Sequence, residues 1–114
     1  MKTSSQETSH RHRLRQIFQQ GFEAVQGETC VARWLKQHPI KGSVHIIAIG
    51  KAAASMAQGA INALPDQIEE GLLITKTGHC QPFEDNIHCV EAAHPVPDES
   101  SLQAGGQLLH FILH

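Results

Sequence analysis

Apolar residues between Arg11 and Gln26 fall at Leu14, Ile17, Phe18, Phe22 and Val25, which is one face of a helix. Residues 1–10 ahead of it are polar and read as a tail. Gly27 interrupts the pattern. Val31, Trp34 and Leu35 then mark a second, short helix from Glu28 to Gln37, stopped before Pro39. Together the two predict an N-terminal helical cover. Val44-His45-Ile46-Ile47-Ala48-Ile49 follows as a nearly unbroken β-branched run. Such runs mark strands covered on both faces, as in parallel sheets, and they make His45 a structural histidine. After Gly50 and Lys51 the pattern turns helical, with Ala53, Met56, Ala57, Ala60, Ile61 and Leu64 on one stripe, ending at Pro65-Asp66. Leu72 to Thr75 and Ile87 to Glu91 predict two more strands. A last helix carries Leu102, Leu108, Leu109 and Ile112 on one side, with Asp98 as its N-cap and Glu99 in its first turn.

The order helix-helix-strand-helix-strand-strand-helix predicts a layered α/β domain with a mostly parallel sheet. The direction of the third strand is open. Residues 77–86 are few for a helical crossover. Extended, they reach ~33 Å, enough to return along a ~17 Å strand. A parallel or an antiparallel third strand would fit.

Composition narrows the class. A length of 114 residues makes one small domain, and 40% hydrophobic residues allow a core. The net charge of −2 leaves no electrostatic footprint for nucleic acid. Charge is uneven: Lys2, Arg11, Arg13, Arg15, Arg33 and Lys36 crowd the first third, and acids dominate 66–99. The basic end lacks interleaved aromatic platforms and reads as a solvated helix face or a subunit contact. No apolar run approaches the ~20 residues of a membrane span, and the polar N-terminus has no signal-peptide pattern. Cys30, Cys80 and Cys89 are odd in number with no Cys-x-x-Cys, which suits reduced thiols in the cytoplasm. His79-Cys80 and His88-Cys89 suggest a metal cluster, but His88 and Cys89 point to opposite faces of a strand, so no metal ligand is assigned.

The chemistry concentrates around Lys51. A cation at a helix N-terminus is unfavourable by ~0.3–1 kcal/mol, and the free N–H groups there attract anions. A phosphate or carboxylate between the two reconciles them. Ligands of open parallel sheets bind beyond the C-terminal strand ends. If all strands are parallel, Gly50-Lys51, Thr75-Lys76-Thr77-Gly78-His79 and Glu91 with His94 and Asp98 meet there. An antiparallel third strand removes the last group. Blander readings stand beside each: a solvent-facing Lys51, a plain turn at Thr77-Gly78-His79, a rigid turn at His94-Pro95-Val96-Pro97 and an Asp98 that only caps. A P-loop is absent, since His45 and Ala52 stand where Gly and Ser or Thr are needed. The Gly-x-Gly-x-x-Gly dinucleotide fingerprint is absent as well.

Three stretches carry a resemblance: Ala48-Ile49-Gly50-Lys51-Ala52-Ala53-Ala54-Ser55-Met56-Ala57, Thr75-Lys76-Thr77-Gly78-His79, and Glu91-Ala92-Ala93-His94-Pro95-Val96-Pro97-Asp98-Glu99. In order and spacing they resemble the N-terminal part of the glycerate 2-kinase family, whose C-terminal domain is called MOFRL. Family members also bear the name hydroxypyruvate reductase, including those linked to tartrate utilisation. The resemblance spans nearly the whole chain past residue 10. It implies that residues 11–114 are the N-terminal portion of a Rossmann-like α/β domain, in a truncated chain without the second domain. It further implies a cytoplasmic, ATP- and Mg²⁺-dependent kinase converting D-glycerate to 2-phosphoglycerate. Lys51, His94 and Asp98 are then the catalytic candidates, and Gly50, Lys51, Gly78 and His79 the substrate- or phosphate-binding ones. The older name implies an alternative, an NAD(P)H-dependent reductase acting on hydroxypyruvate. A third reading is a non-catalytic fragment or binding module. The expected partner is a small hydroxy acid, with neither nucleic acid nor membrane. The apolar C-terminal helix suggests a homo-oligomer contact.

Overall fold

A computed structural model describes residues 4–114. The elements are α1 (Ser4–Ala24), α2 (Gly27–Gln37), β1 (Val44–Ile49), α3 (Ala53–Ala63), β2 (Ile68–Lys76), β3 (Ile87–Ala92) and α4 (Glu99–Leu113). The segment read as a polar tail is helical from Ser4 onward, and residues 1–3 lie outside the described residues. Apolar periodicity could not reveal that first stretch, because Ser, Gln, Glu and Thr extend a helix without an apolar stripe. Helix α2 packs on α3. Helix α1 touches α2 and leaves Leu14, Ile17, Phe18 and Phe22 at least half exposed.

The sheet has the order β1-β2-β3 and is parallel throughout. The open question of the third strand is thereby answered. The 77–86 segment runs back along the sheet without a helix. It is anchored where Asn86 donates its side-chain amide to the Ile68 carbonyl at 3.2 Å and Gly71 N–H donates to the Asn86 carbonyl at 2.9 Å.

Register partners share a face, so the sheet sorts cleanly. Ala48, Leu73 and Cys89 are in register and face α3. Ile47, Leu72 and His88 are in register on the other face, where α4 lies over Leu72 and His88. The core forms on the α3 side from Ala54, Ala57, Leu73 and Ile87. Small residues let the layers close up. A Cβ on Gly59 of α3 would run into the backbone carbonyl of Glu28, so glycine there sets the α2–α3 spacing. Across the same contact Ser55 Oγ accepts from Glu28 N–H at 3.0 Å, and Asn62 donates to the Glu28 carboxylate at 2.9 Å.

Strand β2 is buried on both faces from Gly71 to Thr75. Strand β1 is not, contrary to its sequence pattern. Ile47 is 46% exposed and Ile49 61% exposed. The reason is position. β1 is an edge strand, and α4 reaches its start with Phe111, whose ring lies edge-on to His45 at 6.0 Å. His45 is therefore no buried structural histidine: it is exposed, with Nε2 3.7 Å from a Glu69 carboxylate oxygen.

The expectation of reduced thiols also changes. Cys80 and Cys89 are joined by a disulfide, with Cα atoms 5.9 Å apart, and only Cys30 is a free thiol. The return segment carries Cys80 back over the α3 face, onto which Cys89 points. His88 points to the opposite face, where its Nε2 lies 3.4 Å from a Glu70 carboxylate oxygen. Among the described residues no three His, Cys, Asp or Glu side chains gather as a metal-binding group, and no helix is long and apolar enough to cross a membrane.

Candidate functional site

Because all three strands run the same way, their C-terminal ends lie together. Each of the first two ends in a turn that requires glycine: Gly50 has φ +123° and Gly78 φ +85°, in the region L side chains avoid. Gly50 N–H still donates to the Ile74 carbonyl at 2.9 Å, which pins the turn to β2, and its own carbonyl accepts from Ala53 N–H at 3.2 Å. Lys51 thus stands exposed on the last step before α3. Ala52 is the N-cap of α3, and no side chain caps that helix. Ala53 N–H is taken by the Gly50 carbonyl, which leaves the next N–H groups of the helix, with Lys51 ahead of them, for an external acceptor. At the end of β2, His79 N–H closes the turn on the Lys76 carbonyl at 2.9 Å, and Thr77 N–H donates to the Ala92 carbonyl of β3 at 3.2 Å.

A small cleft of about 160 Å³ opens between these ends. Gly50, Lys51, Thr75, Lys76 and His94 line it, with Ile49, Ile74, Ala92 and Ala93 as its apolar walls. At ~30 Å³ per water molecule it has room for one phosphoryl group or a three-carbon acid. It is smaller than the ~300–1,000 Å³ typical of a complete small-molecule pocket. Two lysines and a histidine line it with no carboxylate, and the uncapped start of α3 follows directly after Lys51. These groups fit a phosphate or a carboxylate.

The structure therefore brings Gly50, Lys51 and His94 together at one cleft, while Gly78, His79 and Asp98 lie outside its lining. Asp98 is occupied elsewhere. Its carboxylate accepts from Ser100 N–H at 2.8 Å and from the Ser100 hydroxyl, and Ser101 Oγ accepts in return from Asp98 N–H at 3.2 Å. This reciprocal cap starts α4. The Ser100 hydroxyl bond, with the backbone N–H bonds from Ser100 and Ser101, holds the Asp98 carboxyl below its ordinary value, outweighing the opposing effect of burial. Ser100 Oγ in turn accepts from Ala93 N–H at 3.1 Å, so the cap also fixes the segment that carries His94. That segment includes a cis His94–Pro95 peptide.

Sequence reasoning gave Thr75 no role of its own. Its side chain is 2% exposed, and its hydroxyl is buried with no hydrogen-bond partner. A threonine ending an apolar strand looks like any β-branched residue. Only burial on the α3 face of the central strand marks it out.

Comparison with known proteins matches the fold and the family. Residues 13–114 match a family described as Domain of unknown function (DUF4147). A D-glycerate 2-kinase from Thermotoga maritima is 33% identical over 97 residues, covering 85% of this chain and 23% of the relative. A putative hydroxypyruvate reductase from Agrobacterium vitis is 34% identical over 102 residues, 90% of this chain and 23% of that protein. A glycerate 2-kinase from Pyrococcus horikoshii is 40% identical over 77 residues, 68% of this chain and 17% of that protein. The solved glycerate kinase structure from Thermotoga maritima superimposes with a TM-score of 0.82 at 32% identity, covering 91% of this chain and 25% of that one. The chain thus spans about a quarter or less of the length of the relatives it matches. It belongs to the DUF4147 family, which forms the N-terminal domain of glycerate 2-kinases.

Proposed function

We propose that this chain supplies the anion-holding part of the site for ATP-dependent phosphorylation of D-glycerate to 2-phosphoglycerate. The observation that carries this reading is Lys51, exposed beside the uncapped start of α3 in a cleft that Lys76 and His94 also line. A lysine placed against the positive end of a helix is unfavourable unless an anion joins them. The names of the Thermotoga and Pyrococcus relatives supply the substrate.

The residues act by charge and position. Lys51 attracts a phosphate or carboxylate, and the N–H groups of α3 that follow Ala53 fix its oxygens. Lys76 and His94 hold the opposite flank, and the apolar walls limit access of water. Phosphoryl transfer rests mainly on such electrostatic positioning. ATP, when bound, supplies the phosphoryl group. Magnesium is the usual companion of ATP, but the described residues form no metal-binding set, so no step is derived through it.

The test is a titration of the 114-residue chain with inorganic phosphate and with D-glycerate, followed by amide NMR. Shifts should concentrate at Gly50–Ala54, Thr75–Thr77 and Ala92–His94 and vanish in Lys51→Ala, whose fold is unchanged. Shifts that persist in Lys51→Ala, or that centre elsewhere, would overturn the assignment. The same chain mixed with ATP, magnesium and D-glycerate should give no turnover that survives Lys51→Ala. The name of the Agrobacterium relative favours a second reading, reduction of hydroxypyruvate with NAD(P)H. Gly50 is followed by Lys51 and Ala52 rather than a second glycine, which weighs against a dinucleotide, and loss of nicotinamide absorbance with hydroxypyruvate would revive it.

A further inference from the structure

We propose that the Thr75 hydroxyl is a ligand-binding group of the cleft, donating a hydrogen bond to an oxygen of the phosphate or carboxylate held there. This role rests on the cleft being an oxyanion site and adds to it a group fixed within the sheet. Three observations converge on it.

The first is an unmet bond. Thr75 is 2% exposed, and its Oγ1 is buried with no hydrogen-bond partner among the described residues. Glu91, its register partner on β3, is exposed and makes no bond to it. A buried hydroxyl left unsatisfied is costly, and an apolar group of the same shape avoids that cost. Valine has that shape and suits a strand equally well. The three residues before Thr75, Leu72-Leu73-Ile74, are all apolar. The hydroxyl therefore works against the stability of the free chain, and an oxygen acceptor brought by a ligand reverses that.

The second is where the hydroxyl lies. Side chains alternate along a strand, so Thr75 shares the α3 face with Leu73, which packs with Ala54 and Ala57 of α3. Thr75 lines the cleft with Gly50, Lys51, Lys76 and His94. Each polar side chain of that lining can donate a hydrogen bond, so the matching ligand is rich in acceptors, as an oxyanion is. The third is rigidity. Lys51, Lys76 and His94 are exposed and stand in turns or at a strand end. β2 is the central strand, paired through Ile74 with Ile49 on one side and through Thr75 with Glu91 on the other. Groups carried by paired strands are held more tightly than groups on loops. The lysines bring charge on flexible stems. Thr75 brings a donor whose position is set before the ligand arrives, so little ordering is needed on binding.

The test follows binding of inorganic phosphate and of D-glycerate to the 114-residue chain by amide NMR titration, and its stability by urea denaturation. Thr75→Val should weaken binding by about tenfold or more, while the urea midpoint stays equal or rises because an unsatisfied donor has gone. Thr75→Ser keeps the hydroxyl and loses a buried methyl. It should recover most of the affinity lost in Thr75→Val, at a lower urea midpoint. A loss confined to phosphate assigns the hydroxyl to a phosphoryl oxygen, and a loss confined to D-glycerate assigns it to the carboxylate; either supports the proposal. A lower midpoint in Thr75→Val with binding unchanged would make the hydroxyl a structural group and overturn it. So would a Thr75→Val chain that fails to fold, or a Thr75→Ser chain that binds no better than Thr75→Val. Wild-type affinity in Thr75→Val beside lost binding in Lys51→Ala would overturn the role of Thr75 and leave the oxyanion cleft standing. A wild-type chain that binds neither probe would overturn both.

Discussion

Strands β1 and β2 are close to each other in composition and opposite in circumstance. Both read as apolar runs rich in Ile and Leu or Val. β2 lies at the centre, with α3 on one face and α4 on the other, and is sealed from Gly71 to Thr75. β1 pairs on one side only and shows Ile47 and Ile49 to solvent. An apolar run states that a strand is built to be covered on both faces. It does not state that every covering element is in place. The difference between the two strands is therefore one of position, centre against edge.

The largest effect should separate them directly. Leu73→Ala in β2, where the side chain is fully buried, should cost about 2–5 kcal/mol in urea denaturation. Ile47→Ala in β1 should change stability by only ~0.5 kcal/mol. Equal costs at the two positions would mean that β1 is already covered. Next in size is a contrast between two glycines within helices. Gly59→Ala should lose ~1–3 kcal/mol, because the new methyl meets the Glu28 backbone and outweighs the helix-propensity gain. Gly105→Ala in α4, with open space around it, should instead gain ~0.5–1 kcal/mol. A stabilising Gly59→Ala would show that α2 is free to move off α3. Lys51→Ala should shift stability by no more than ~0.5 kcal/mol, since the residue is exposed, while removing anion binding.

The smallest effect concerns acid. The native pKa of Asp98 is lowered, so below the ordinary value of 3.8 the unfolded chain binds the proton more readily than the folded one. The cap's contribution is full above that value and fades as pH falls from it toward the lowered native pKa. Asp98→Asn should flatten this part of the stability curve. A slope unchanged by the substitution would mean another carboxylate is responsible.

How far the sequence revealed all this depended on what each residue was asked to signal. The Gly50-Lys51 turn before α3 was legible, because glycine, cation and helix start are all local features. Asp98 as a cap was legible for the same reason, and the structure shows that cap. The direction of β3 was not legible, because a return segment long enough for either arrangement carries no mark of its path. The early start of β2 at Ile68 was hidden by Glu69 and Glu70, which lie outside the apolar stretch of the strand. The Cys80–Cys89 bond was hidden by the odd count of cysteines and by a return path that only the fold shows. Coverage of β1 was misread because periodicity reports a strand's destination and says nothing of its present neighbours.

The strand order β1-β2-β3 follows the order of the chain. That simple sequence has a meaning for synthesis. As the chain leaves the ribosome, each new strand joins the edge just made, and the nascent sheet grows in one direction through contacts close in sequence, the kind that form fast. Its oldest edge, with Ile47 and Ile49 exposed, stays on the outside as the sheet grows. As it grows, the nascent protein carries a sticky seam along β1, and the solvated, charge-bearing α1 helix ahead of it is the part already free to keep the growing chain dispersed.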